Sequence, residues 1–144
     1  MTASPASAAA PRIVLDTNAV LDGWVFCDAS ARTLVAAVEC GNLRWVACPG
    51  MRTELARALG YASLAKWAPY SERMLTVFDQ LAEMMPLPAT LPGLRCSDPD
   101  DQVYLDLAVA SGARWLLTHD RALLRLARPA RALGIQILKP ALWP

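Results

Sequence analysis

At 144 residues the chain has the length of one domain and can close a hydrophobic core without disulfide or metal staples. Hydrophobic residues make up 55% of it, yet no uncharged apolar run approaches the ~18–20 residues of a membrane span, which excludes a transmembrane helix. The 14 basic and 13 acidic residues leave a net charge of +1, so no global field marks a nucleic-acid binder.

Residues 1–11 include the small, uncharged stretch TASPASAAAP. They lack the basic start and long apolar centre of a signal peptide and are expected to form a flexible tail before a single domain over 12–144. Residues 12–15 read as a short buried strand that ends at Asp16, and a helical stretch follows over 19–25. The next helix is predicted over 30–40, with Ser30 as its cap and Gly41 as its stop. Residues 43–47 are the second strand, and Pro49 suits the first turn of a helix over 50–59.

Helices over 63–67 and 70–84 come next, then a strand-like segment at 85–87 and a proline-rich loop over 86–99. A helix over 100–111 ends before Gly112, and 115–118 is a strand. Residues 120–127 form a helix that Pro129 stops, and 135–138 is the last strand. Strands that alternate with helices predict an α/β fold, with a parallel sheet covered on both faces.

The four cysteines, Cys27, Cys40, Cys48 and Cys96, form no CxxC pair and have one histidine to join them, which argues against zinc. They are expected to be small buried hydrophobes in a reducing cytoplasm.

Four acids fall where a predicted strand gives way to a helix: Asp16, Glu54, Asp101 and Asp120. In a parallel α/β sheet these junctions share one edge, outside the carboxyl ends of the strands, where ligand sites form. Carboxylates brought together repel, and a hard divalent cation can hold them. Such an ion neutralises phosphate and acidifies a bound water, and a second ion about 3.5–4 Å away can steady the leaving oxygen. The pattern therefore points to metal-dependent cleavage of phosphodiesters.

Each acid also has an ordinary role. Asp16 follows an apolar run and either caps the next helix or is buried against a metal. Asn18 could hold an ion through water or orient Asp16. Glu54 lies at the margin of the stripe Met51, Leu55, Ala58 and Leu59, either reaching a cleft or serving as a first-turn acid favoured by the helix dipole. In the cluster Asp98, Asp100 and Asp101, helical angle sends Asp101 inward along Tyr104, Leu105 and Ala108. The same angle sends Asp106 outward, beside Gln102, into solvent. Asp98 and Asp100 read as cap and loop residues, with Asp98 a further candidate ligand. Asp120 either caps the helix RALLRLA or serves the site, and Thr118 could donate to the carboxylates. His119, the only histidine, is a surface residue or a general base.

Three segments, IVLDTNAVLDG at 13–23, RTELARAL at 52–59 and DPDDQVYLDLAVASGARWLLTHDRALLRLA at 98–127, resemble in this order the PIN domain, a family of small metal-dependent ribonucleases. The resemblance runs from residue 12 to about residue 140. The third segment looks most like the toxin branch of toxin–antitoxin systems. The resemblance implies a Rossmann-like three-layer α/β/α sandwich with a central, mostly parallel sheet. It implies Asp16, Glu54, Asp101 and Asp120 as the catalytic Mg²⁺ or Mn²⁺ site, for one or two ions, with Thr118 in support. It implies cleavage of RNA by water, a homodimer and, where an antitoxin exists, a peptide of that partner across the cleft. The register within 98–101 is the open point of this carry-over.

Arg121, Arg125 and Arg128 fall within a narrow arc of the predicted last helix, opposite Leu123, Leu124 and Ala127. That arc is a solvated face or an RNA-contacting surface beside Asp120. Among the basic residues only Lys66 and Lys139 are lysine. The arginine bias suits phosphate or reflects genome composition. Trp67, Tyr70, Met74 and Phe78 form helical core or a partner face.

Two other functions compete. A non-catalytic binding module on the same fold would not need four acids. A phosphatase of the haloacid-dehalogenase type wants a second Asp where Asn18 stands, and a well-placed lysine.

Overall fold

The computed structural model of the chain describes residues 10–90 and 93–144, so the expected tail falls almost wholly outside the described residues. Among the described residues five strands form one sheet: β1 (Arg12–Leu15), β2 (Arg44–Ala47), β3 (Glu83–Met84), β4 (Trp115–Leu117) and β5 (Gln136–Leu138). Their order is β3-β2-β1-β4-β5 and every pairing is parallel. The last three residues of β1 and β2, and all of β4, are buried, as a sheet covered on both faces requires. The helices are α1 (Thr17–Val20), α2 (Arg32–Glu39), α3 (Pro49–Leu59), α4 (Ala68–Leu81), α5 (Gln102–Ser111), α6 (Arg121–Leu124) and α7 (Ala127–Arg131). Together they make the Rossmann-like α/β/α sandwich expected from the sequence.

The chain winds outward from β1 to β2 and β3, then returns to place β4 and β5 on the other side of β1. The strand order thus reverses between β1 and β4, the point where such sheets open a ligand crevice. Beneath it lies one apolar core. Trp45 is stacked on Trp24 at 5.1 Å between ring centroids and meets the Phe78 ring edge-on at the same distance. Met74 and Phe78 are therefore core residues, whereas Tyr61 and Tyr70 stay exposed. Among the described residues no helix is long and apolar enough to cross a membrane.

Several local expectations give way to tertiary contacts. Helix α4 ends at Leu81, three residues before the predicted limit, because Ala82 turns extended (ψ 133°). Glu83 then joins the sheet with its carboxylate on the Arg44 guanidinium at 2.8 and 2.7 Å. The third strand consequently begins two residues ahead of the predicted 85–87. Asp28, not Ser30, caps the second helical stretch: its carboxylate accepts from the Ser30 amide at 2.9 Å, opening a 3-10 turn (Ala29–Ala31) before α2.

The predicted helix over 120–127 is two short helices. Pro129 does not stop a helix but sits in the first turn of α7, where an amide would have no intrahelical partner. Arg128 therefore lies on a different helix from Arg121, and the single basic arc dissolves. Cys27 and Cys40 are exposed, so the expectation of four buried thiols holds for Cys48 and not for them.

Asp106 is buried rather than solvated. The chain over 94–96 covers that face of α5: Gln102 donates to the Leu94 carbonyl and to Asp106 Oδ1, each at 2.9 Å, and accepts from the Cys96 amide at 2.6 Å.

Candidate metal centre

The site starts from the register of two strands. Leu15 of β1 pairs with Leu117 of β4, so the next residues, Asp16 and Thr118, leave the sheet side by side at the switch point. The Asp16 amide still donates to the Leu117 carbonyl at 3.1 Å. Asp16 is only 6% exposed. Its Oδ1 accepts from the Ala19 amide at 2.9 Å, which caps α1, and its Oδ2 accepts from the Thr118 hydroxyl at 2.5 Å. Cap and site are thus one arrangement. Burial raises the Asp16 pKa, and the bonds from Thr118 and Ala19 offset part of that rise.

Thr118 also accepts the Asp120 amide at 2.9 Å. Asp120 in turn caps α6, with Oδ1 on the Ala122 amide at 2.7 Å. Across from it the segment Asp98–Asp101 turns into α5. Asp98 accepts from the Asp100 amide at 3.0 Å, and Pro99–Asp101 form a 3-10 turn. This brings Asp98, Asp101 and Asp120 together, each offering a carboxylate oxygen within 4.8 Å of the others.

The electrostatics of this trio are unfavourable without a counter-ion. The Asp101 carboxyl is pushed up to about 8, first by burial, then by contact with Asp120 and by the charges of Asp120, Asp98 and Asp16. Asp120 is lowered, chiefly by its hydrogen bond with Asp101. Asp101 Oδ2 is buried with no hydrogen-bond partner among the described residues. An orphaned carboxylate oxygen, two further carboxylates beside it and no thiol among them make a donor set suited to a hard divalent cation.

A cleft of about 760 Å³ opens over this edge. Asp16, Asn18, Glu54, Asp101 and Asp120 all line it, with Asp100, Tyr104, Arg57, Tyr61, Leu87 and His119. Glu54 reaches it from α3 and lies outside the close trio, with its carboxylate 3.1 Å from the Arg57 guanidinium. Asn18 is exposed at the rim. Arg121, Arg125 and Arg128 are exposed, and the cleft lining does not include them.

Three features escape a reading of the sequence. His119, part of the cleft lining, has its Nε2 2.6 Å from Asp22 Oδ2. Asp22 sits in a π-helical turn (Leu21–Val25), whose spacing departs from the 3.6-residue period used to place side chains. The Tyr104 hydroxyl meets Thr17 Oγ1 at 3.2 Å, and burial pushes the phenol up to about 12. Arg57 and Tyr61, signalled only by their place at the end of α3, face the same cleft.

A family model described as PIN domain matches residues 12–122. Among solved structures the chain is similar to one in the crystal structure of VapBC2 from Rickettsia felis bound to a DNA fragment from their promoter. The identity there is 15% and the TM-score 0.58, over 88% of this chain and 96% of that one. It is also similar to PAE2754 from Pyrobaculum aerophilum, at 21% identity and a TM-score of 0.55, over 96% of this chain and 92% of that one. At these identities the likeness speaks for the fold. No curated protein matches the chain.

Proposed function

The chain belongs to the PIN domain family, and on that premise we propose that it is a Mg²⁺- or Mn²⁺-dependent endoribonuclease, the toxin of a toxin–antitoxin pair. The observation that carries the reading is the trio Asp98, Asp101 and Asp120, each offering a carboxylate oxygen within 4.8 Å of the others, with a buried Asp101 Oδ2 that has no hydrogen-bond partner among the described residues.

Asp101 and Asp120 would hold the ion, with Asp98 beside them and Asp16 and Glu54 completing the acidic wall of the cleft. A bound divalent ion neutralises the scissile phosphate and acidifies a water for attack. The chain supplies the rest. Asp101, whose carboxyl is pushed up to about 8 by burial and by Asp120, would bind the ion in competition with its proton. Thr118 fixes the carboxylate plane of Asp16 through Oδ2, while the Ala19 amide fixes Oδ1. Tyr104, held on Thr17, is an uncharged wall beside the acids.

The same reading takes RNA as substrate, an antitoxin and a second copy of the chain as partners, and the cytoplasm as the place of action. The third segment's resemblance to the toxin branch supports the antitoxin, and the fold shared with a chain of the VapBC2 structure is in keeping with it.

The test is incubation of purified protein with an RNA pool and Mg²⁺ or Mn²⁺, beside a chelator and Asp120→Asn. Cleavage that disappears in both controls supports the reading. Absence of cleavage with either metal favours a binding module on the same fold.

A further inference from the structure

Tyr61 is 52% exposed and Leu87 is 74% exposed, yet both face the acidic cleft rather than open surface alone. Arg57 lies in the last turn of α3, and Tyr61 follows two residues after that helix ends. Buried Ala58 anchors the backbone between them, and the Gly60 and Tyr61 amides close the turn on the Arg57 and Ala58 carbonyls at 3.1 Å each. The end of α3 therefore presents a guanidinium and a phenol ring to the cleft, beside the Glu54 carboxylate of the same helix, and Leu87 adds an aliphatic side chain to the lining.

We propose that Arg57 and Tyr61 form a nucleotide-reading subsite: Tyr61 stacks on the unpaired base next to the scissile phosphate, and Arg57 grips a phosphate of that nucleotide. The inference rests on the ribonuclease reading above.

Charge and shape single out this occupant. The Arg57 side chain is 65% exposed, and its pairing with Glu54 at 3.1 Å is of the exposed, i,i+3 kind that contributes little. The guanidinium can therefore leave Glu54 for a phosphate, which it matches in a bidentate fork. Any cation that draws the Glu54 carboxylate frees Arg57 for that role. An exposed aromatic ring beside a phosphate contact suits a splayed nucleobase, because stacking uses the π-face that a duplex hides. Stacking grows with ring area, so the subsite favours a purine over a pyrimidine beside the cut. The arginines after Asp120 lie off the cleft lining, which leaves Arg57 as its arginine among the described residues.

The test maps cut sites in an RNA pool with Mn²⁺ and measures KM and kcat on one excised substrate. Wild type is expected to cut beside purines. Tyr61→Ala and Tyr61→Leu should lose that preference and raise KM roughly 5- to 150-fold, the cost of one stacked base, with kcat little changed. Tyr61→Phe should behave as wild type. Fluorescence anisotropy in an Asp101→Asn background reads binding without turnover, and there Arg57→Gln should lower the salt slope by about one. Circular dichroism melts confirm that these exposed substitutions leave the fold intact. Unchanged cut sites and KM in Tyr61→Ala, with wild type active, overturn the subsite and leave the ribonuclease reading standing. A wild type that neither binds nor cuts RNA removes both.

Discussion

The Thr118 hydroxyl donates to Asp16 Oδ2 at 2.5 Å and accepts the Asp120 amide at 2.9 Å, so one fully buried side chain sets both acids at the ends of two neighbouring strands. Thr118→Val keeps the shape and removes the hydroxyl. It leaves a buried carboxylate oxygen of Asp16 without its donor, a loss of about 1–3 kcal/mol. RNA cleavage should fall ~10- to 100-fold, the usual effect of losing a group that orients a metal ligand. Thr118→Ser should keep most of both. Chemical denaturation and cleavage rates measure the two effects.

Asp101 carries a pH signature. Burial and the neighbouring carboxylates push its folded carboxyl up to about 8 from the ordinary 3.8, so the native state is expected to hold an extra proton through that window. Stability of the metal-free protein should therefore fall as pH rises from about 4 to 8. Asp101→Asn should flatten that slope and raise the metal-free melting temperature at pH 8. Mn²⁺ should restore the wild type and leave the variant unmoved. Thermal melts across pH, with and without Mn²⁺, test all three statements.

Gln102 joins the covering segment to α5 and lies one residue after Asp101. Gln102→Leu strips the buried Asp106 of its partner, at a cost of about 1–3 kcal/mol. It also releases the segment leading into Asp98 and Asp101, so Mn²⁺ affinity should drop. Gln102→Leu with Asp106→Leu should recover only the part of the loss owed to Asp106, because the Leu94 carbonyl and the Cys96 amide stay without their partner. The double variant should not recover Mn²⁺ affinity. Denaturation and calorimetry separate the outcomes.

At the sheet edge, the Arg44 guanidinium holds the Glu83 pKa below its ordinary 4.5. A depressed carboxyl stabilises the fold above its unfolded pKa and loses that contribution as pH falls through the folded value. Glu83→Gln should therefore be less stable than wild type at neutral pH, with the gap closing in acid below 4.5. Urea titrations at several pH values measure the gap.

The sheet centre was legible because β1, β2 and β4 are short apolar runs that a doubly covered parallel sheet demands. The shared edge of Asp16, Glu54, Asp101 and Asp120 followed from their places after strands or in the first turns of helices. The bounds of β3 are not legible in the sequence, because pairing with β2 and the Glu83–Arg44 contact, not local propensity, decide a two-residue strand. Pro129 read as a stop because sequence does not say that a new helix begins at Ala127. Asp106 read as solvated because helical angle says nothing of a chain segment folded over that face. His119 met Asp22 through a π turn that no 3.6-residue count anticipates.

The most direct test of the metal centre is a crystal grown with Mn²⁺ and its anomalous scattering map. An ion touching Asp101 and Asp120 is expected, with the peak lost in Asp101→Asn. A protein saturated with Mn²⁺ that cleaves RNA with no ion at those two carboxylates would contradict it.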